Sequence, residues 1–558
     1  MRTGLAGREA LVASRAAGNA EERPSPRCAA PHLRPAPADP TVSFPARTLG
    51  WTCRVAFAVA LAGTLAAQAA PPGGASPPWR TWTDHGQQLL DGEDPVGARE
   101  AYRRALHLAG DVAEPRIGLG RAHLMLGHSQ FAVAYGEAAI GLEPGNQDGM
   151  ALVVRALIRA REFDAAVQRS DAWLQAATQA GAELLAARGS ALFRVQRIED
   201  AALAYRRVVV QDPLQPEAHL RLGSGLLPPT TATISAPLRA AVEALLAGDR
   251  GRAIERLRAV LRSEPNHPIA HRLLGETLFA QRTATGMVST DPAFAAIAEL
   301  APRPDVRRLP VVDFVPSYRS LSPSRRAVVD RTMAMFGSHL GKLVAIGGRH
   351  DLLGELERTT DAEARANLRG RRTFDGRVWD DVRGVGGPQA ATGIEALDDA
   401  AAFGFDTFAH EVAHQVHFYA FTPLQRARIR SLYQAALAEG RCLDYYAASN
   451  EAEYFGQGVE AFACLCKRPG GETTHGHTRF ELHAVDPALH DFIAGVVDFD
   501  PLRDERLRQR LLAAAITVAL RCGRPGDAVV AASMLLPGPE RDRLLAEAQL
   551  AERAQRCH

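Results

Sequence analysis

Between Trp82 and Pro265 the same small and aromatic residue types return at a spacing of about 34 residues. One stretch carries Trp82, Gly86, Ala98, Tyr102 and Ala105, and a second carries Leu119, Gly120, Ala132, Ala139 and Pro144. Gly189, Ala201, Tyr205 and Pro213 mark another, and Ala253, Leu257 and Pro265 the last. A weaker copy lies between Asn146 and Gln179, with Ala165 and Trp173. A unit of this length is a pair of helices, and a single pair has nothing to bury its apolar face against, so the copies must stack. Small residues at fixed positions let paired helices approach, the aromatic fills the gap to the next pair, and the proline stops the second helix. Only 6% of the residues are aromatic, while Ala, Leu and Arg abound, which suits packed helices better than a β-sandwich. Leu226-Leu227-Pro228-Pro229-Thr230-Thr231 interrupts the pattern, and there the array is expected to break or change direction.

This pattern resembles the tetratricopeptide repeat over roughly residues 79–280. The resemblance implies a concave groove of inner helices that takes a substrate or a protein partner; a spacer that merely positions the next domain is the other reading.

The remaining length leaves room for more. A chain of 558 residues holds about three domains at ~100–200 residues each. A net charge of +2 excludes the basic stripe of a nucleic-acid binder and the acidic bias of a disordered tail. Residues 1–45, rich in Pro, Arg and Ala, read as a disordered extension or as sequence upstream of the true start. Arg47 and Arg54, the apolar run Val55 to Leu65 and the small-residue site Ala67-Gln68-Ala69 have the order of an export signal over residues 47–69. The run is shorter than the ~20 residues that cross a bilayer, so the expectation is cleavage near Ala70 and an exported (periplasmic or secreted) protein, with membrane attachment only if the segment stays.

The chemistry lies further on. In Phe405-Asp406-Thr407-Phe408-Ala409-His410-Glu411-Val412-Ala413-His414-Gln415-Val416-His417, the residues Phe405, Phe408, Val412 and Val416 fall at helical spacing. His410 and His414 then lie one turn apart on one face, where two imidazoles reach one tetrahedral Zn2+, and Glu411 is placed to take a proton from a water at the metal. A third ligand is needed. His417 sits ~10.5 Å along the axis from His410, too far to share its ion; a core histidine is the favoured reading over a cleft-lining one. The metzincin pattern is excluded because it needs Gly at position 417 and His at position 420, where this chain has His417 and Ala420. What remains is a glutamate from a second helix. Ser449 is expected to cap a helix carrying Glu453, Gln457 and Glu460 at i, i+4 and i+7, with Phe455, Val459, Phe462 and Leu465 packing one side so that Glu453 points inward.

The two motifs together resemble the catalytic domain of the anthrax lethal factor family of gluzincins, over roughly residues 300–500 and most specifically 410–460. In that family the His-Glu-x-x-His helix is followed by a Tyr and, seven residues on, by the glutamate of an Asn-Glu-Ala-Glu-aromatic-Phe segment; Tyr446 and Glu453 stand at those positions. The resemblance implies that Glu453 is the third zinc ligand and that Tyr446 donates its hydroxyl to the oxyanion, with Tyr445 a competitor for that role. Two departures stand out: Gln457 replaces a family glutamate, and Ala413 a glycine.

Three smaller features complete the reading. Gly384-Val385-Gly386-Gly387 followed by Ala390 to Glu395 suggests a turn and an edge strand, either bordering the cleft or forming an ordinary hairpin. His475-Gly476-His477 reads as a loop near substrate rather than a second metal site. Once Cys28 and Cys53 leave with the signal, Cys442, Cys464, Cys466, Cys522 and Cys557 are expected as buried thiols or as at most two disulfides.

The expected fold is mostly α: an N-terminal tetratricopeptide-like α-solenoid (79–280), an α+β zincin (gluzincin) domain (300–500), and a short helical C-terminal tail (501–558) built as one further helix pair. The expected function is an exported zinc metallo-endopeptidase, with Glu411 and Tyr446 catalytic, His410, His414 and Glu453 holding Zn2+, a peptide or protein as substrate, and no nucleic-acid partner. The alternative is a non-catalytic repeat protein that binds a partner in its groove and carries an inactive zincin-like domain.

Overall fold

The sequence period is the helix-pair period. Four pairs follow one another: Pro78–Asp91 with Pro95–Leu108, Ala113–Met125 with Ser129–Leu142, Gln147–Arg159 with Phe163–Ala176, and Ala182–Arg194 with Ile198–Gln211. The weak copy is a full pair. Tyr102 and Tyr205 are buried against glycines of their own pairs: a Cβ at Gly86 would lie 2.8 Å from the Tyr102 ring, and one at Gly189 3.0 Å from that of Tyr205. The turn within each pair also repeats, since Glu93, Gly127, Arg161 and Gln196 all take positive φ, between 55° and 83°. Glycine favours that conformation, so Glu93, Arg161 and Gln196 hold it at a cost.

The structure is a computed structural model that describes residues 77–284, 291–399, 406–468 and 476–556, all within one compact unit. The export-signal segment, Phe405, His475 and Cys557 lie outside the described residues. No described helix is long and apolar enough to cross a membrane.

Just before the predicted interruption the helix Pro216–Arg221 widens into a π turn, Leu222–Leu226, and loses helical geometry at Ser224 and Gly225, the latter with φ +94°. The chain runs on to a further pair, Ala236–Leu246 with Arg250–Ser263, and then to Pro268–Ala284, which packs against the interrupted helix. The two contacting helices start alike, with Pro213-Leu-Gln-Pro216-Glu-Ala-His219 echoed by Pro265-Asn-His-Pro268-Ile-Ala-His271. Their contact is reciprocal. Gly223 sits against the Arg272 backbone, Gly275 against that of Leu220, and His219 Nδ1 lies 2.8 Å from His271 Nδ1. The array therefore turns back on itself through a local two-fold arrangement.

A small sheet follows, in the order β1 (Arg349–Leu353), β3 (Gln389–Gly393), β2 (Gly384–Val385). β1 runs parallel to β3, with Arg349 opposite Gln389, and β2 runs antiparallel to β3, with Val385 opposite Ala391. The sequence-expected edge strand at 390–395 is thus the central strand, because β1 arrives to cover its far side, and the two-residue β2 is the edge. The largest apolar cluster includes Phe314, Phe336, Phe408, Val412, Val416, Phe455, Val459 and Ile493, and so joins the helices after the array to the two site helices.

The tail holds three helices where one pair is expected: Glu505–Arg521, Pro525–Ser533 and Pro539–Arg556. Asp291–Leu300 packs on the first of them. Gly523 sits against Leu126 and Val96 of the first two pairs, while Thr478 donates to Asp527 at 2.9 Å, so the tail touches both the array and the segment after the second site helix. Cys442, Cys464, Cys466 and Cys522 are buried free thiols, and Cys464 donates to the carbonyl of Cys466 at 3.0 Å.

Candidate metal centre

Asp406 caps the first site helix, Thr407–Gln415, by accepting from the Ala409 N–H at 2.9 Å. Phe408 and Val412 are fully buried on its apolar side. Directly after His414, Gln415 donates to the carbonyls of Arg349 (3.0 Å) and Pro388 (3.2 Å) and accepts from His350 Nδ1 at 3.0 Å. His350 Nε2 in turn accepts from the Thr392 hydroxyl at 2.9 Å. That pattern needs a neutral imidazole, and burial lowers the His350 pKa to about 4. The helix is therefore bolted to β1, to β3 and to the residue before β3.

Asn450, and not Ser449, caps the second site helix, Glu451–Ala463, accepting at 3.0 Å from both Ala452 and Glu453 N–H. The shorter amide side chain directly before the helix reaches two orphan donors, and Ser449 is left exposed. Gly456 brings this helix onto the first, since a Cβ there would lie 2.7 Å from His410 Cε1.

The two helices bring His410, His414 and Glu453 together, with one candidate ligand atom from each and all three within 4.8 Å of one another. Glu453 Oε2 lies 2.9 Å from His410 Nε2 and 3.6 Å from His414 Nε2. Ligands about 2.1 Å from a tetrahedral zinc stand ~3.4 Å apart, so the donor set and its spacing fit that ion. Among the described residues this is the one such cluster. Electrostatics bind the trio. Burial opposes charge on His410, but Glu460 and Glu453 outweigh it and raise its pKa well above the usual value. Burial alone would raise Glu453, yet its hydrogen bonds to His410 and His414 hold its carboxyl below the usual range.

Glu460 lies 3.3 Å from His410 Nδ1 and is almost wholly buried, a carboxylate set to orient the imidazole from behind. Burial pushes its pKa up to about 7, against the pull of His410. Gln457, which the gluzincin resemblance puts in place of a glutamate, is buried with neither amide atom hydrogen-bonded among the described residues.

Glu411 is buried at the floor of the edge strand: a Cβ at Gly384 would stand 2.6 Å from its Oε1, and one at Gly386 3.4 Å from its Oε2 and from His414 Cβ. Two glycines thus let β2 and its turn close over Glu411 and His414. Burial raises the Glu411 pKa, and its Oε2 has no partner among the described residues.

The two tyrosines separate. Tyr445 faces the array, hydrogen-bonded to Arg194, with the guanidinium carbon 4.6 Å from its ring centroid and Phe163 edge-on at 5.5 Å. Tyr446 lies near the site: burial raises its phenol pKa, and the charges of Glu453 and Glu411 raise it further. Its ring lies 6.0 Å from Phe374.

His417 is fully buried against Phe418 and Phe455, 3.3 Å from Glu451 and apart from the trio, and burial lowers its pKa to about 4. His477 is paired with Asp444 at 3.2 Å and Glu481 at 3.6 Å, inside the molecule. Sequence reading places Glu460 on the second helix without its role behind His410, and misses Asp444 and Gly456 as parts of this site. A glutamate at helical spacing looks like a solvated face, and isolated glycines carry no signal of what they approach.

The tetratricopeptide repeat family profile matches residues 83–147, 186–224 and 238–286. No curated protein matches the chain. Among solved structures, a tetratricopeptide repeat protein of Thermus thermophilus is 16% identical, with 36% of this chain and 98% of that one covered and a TM-score of 0.26. MamA of Desulfovibrio magneticus is 20% identical over 34% of this chain and 95% of its own, with a TM-score of 0.22. Yeast Tom70 is 11% identical over 86% and 96%, with a TM-score of 0.22. The chain carries tetratricopeptide repeats.

Proposed function

We propose that this repeat protein is a zinc-dependent metallo-endopeptidase of gluzincin type. The observation that carries the reading is the convergence of His410, His414 and Glu453 on one point, with Glu411 beside them. When bound there, zinc supplies a Lewis acid and lowers the pKa of a coordinated water towards ~7. His410, His414 and Glu453 would hold the metal, and the Glu460 carboxyl, 3.3 Å behind His410 Nδ1, favours the tautomer that keeps the proton on that nitrogen. Glu411 accepts the proton of the attacking water at its carboxylate and later returns it to the leaving amine. Tyr446 offers its phenolic O–H to the developing oxyanion. β2 is the last strand of the sheet and borders Glu411, and a strand in that place can pair with an extended backbone, which favours a peptide substrate.

A second reading has its own support: the family match falls wholly within the repeats, so the chain would be a partner-binding repeat protein whose zincin-like part is inactive. Casein hydrolysis by the zinc-loaded protein, compared with Glu411→Gln, separates the two. The enzyme reading expects cleavage that falls at least ~100-fold in the variant while zinc is retained. No cleavage by zinc-loaded wild type of casein or of a mixed peptide library, with partner binding intact, favours the second.

A further inference from the structure

One of the edges by which the array meets the metal-site half is the line of turns within its third and fourth helix pairs. Arg161, in the turn of the third pair, donates to the carbonyl of Leu443 at 2.9 Å. It does so from a left-handed backbone (φ 65°) that a non-glycine residue holds only under constraint. Phe163 and Arg194, at the same ends of the third and fourth pairs, hold Tyr445. Ile198 and Glu199 meet the turn that carries Phe374, through Gly376, where a Cβ would lie 2.6 Å from Ile198, and through Arg372 at 3.3 Å from Glu199. The Gly225 carbonyl accepts from Val378 N–H at 2.8 Å, on the far side of that turn.

Tyr446 sits between these two supported segments. The three residues before it are each gripped: Leu443 by Arg161, Asp444 by His477, and Tyr445 by Arg194 and Phe163. Asp444 turns the chain by accepting at 2.8 Å from both the Tyr446 and Ala447 N–H groups. Tyr446 follows directly, its ring 6.0 Å from that of Phe374 and its phenol near enough to Glu453 and Glu411 to be influenced by their charge.

We propose that the turn edge of the third and fourth helix pairs is a built-in support of the catalytic centre, with Arg194 a positioning residue that sets Tyr446 through Tyr445. This rests on the peptidase reading of Tyr446. Arginine suits the task because its planar group stacks on the Tyr445 ring while donating to the hydroxyl, which a lysine does less well. The array is therefore part of the enzyme's working geometry, in addition to any groove it offers.

The test places 3-fluorotyrosine at position 446 in the full chain and reads its 19F resonance alongside zinc content. Arg194→Ala and Tyr445→Phe should each move or broaden the resonance, the double variant should add nothing, and zinc should stay at the wild-type level in all. Arg194→Lys should restore the resonance in part. An unmoved resonance in folded Arg194→Ala, or in Tyr445→Phe should the former not fold, overturns the proposal, and so do additive effects. A wild type that takes up no zinc while the resonance still follows Arg194 and Tyr445 leaves the support standing and removes the peptidase reading, so the two fail separately.

Discussion

The helix-pair array and the candidate metal centre solve the same packing problem, yet only one of them announces its solution. In the array Gly86 and Gly189 give way to the rings of Tyr102 and Tyr205. At the metal centre Gly456 gives way to the ring of His410, at 2.7 Å for a hypothetical Cβ. The device is one glycine yielding to one ring, which lets two helices close. In the array it stands at equivalent places of the first and fourth pairs, within a period that the other pairs keep, and so it shows. At the centre it occurs between helices whose candidate ligands His410 and Glu453 are 43 residues apart, and looks like any other glycine. Repetition makes packing readable, and a unique site is readable only through the chemistry of its side chains.

The comparison breaks most visibly if the array's aromatic is removed. Tyr205→Ala takes a fully buried ring from the fourth pair and should cost ~3–5 kcal/mol, measured by denaturant unfolding. A loss below ~1 kcal/mol would mean that the repeat pattern marks something other than core packing.

Acid should strike the point where the array turns back. Burial lowers His219 to about 4 and His271 to about 3 from an ordinary 6.5, despite carbonyl contacts from Pro213 and Pro265. Burial favours the neutral form of each, so stability should decline as pH falls from 6.5 towards 4. The two carbonyl contacts and the Nδ1–Nδ1 contact call for three N–H groups where two neutral imidazoles carry two, so the loss between pH 6.5 and 5 is that of one histidine, about 2 kcal/mol. The double variant His219→Gln/His271→Gln should flatten the unfolding profile in that window. An unchanged slope would detach the pair from acid sensitivity.

At the metal centre the sharper probe is Glu460→Gln, which keeps shape and removes the charge behind His410. Zinc affinity, read by chelator competition, should fall ~10–100-fold, while thermal unfolding of the array stays put. No change in affinity would reduce Glu460 to a buried acid with no bearing on the ligand.

The sequence makes the helix pairs, the two site helices and the candidate ligands legible, because each rests on local spacing. It hides what depends on distant chain. β3 is central and not an edge because β1, some 40 residues earlier, pairs with it from Arg349 opposite Gln389 onward. The reversal of the array depends on two echoing motifs, around His219 and His271, meeting face to face. The third tail helix, Pro539–Arg556, is so rich in charge that its narrow stripe of Leu544 and Ala548 is hard to see. In the sequence only the seven-residue spacing to Glu453 separates Tyr446 from Tyr445, and in the structure Arg194, 251 residues before Tyr445, tells them apart.

The most direct test of the central claim is zinc per chain in the purified protein, wild type beside Glu453→Ala, after dialysis against equal free zinc. One zinc in the wild type and a marked loss in the variant is the predicted result, since Glu453 contributes one of three ligands from the second helix. No zinc in the wild type, or equal zinc in both, would contradict a two-helix metal centre and leave the repeats as the seat of function.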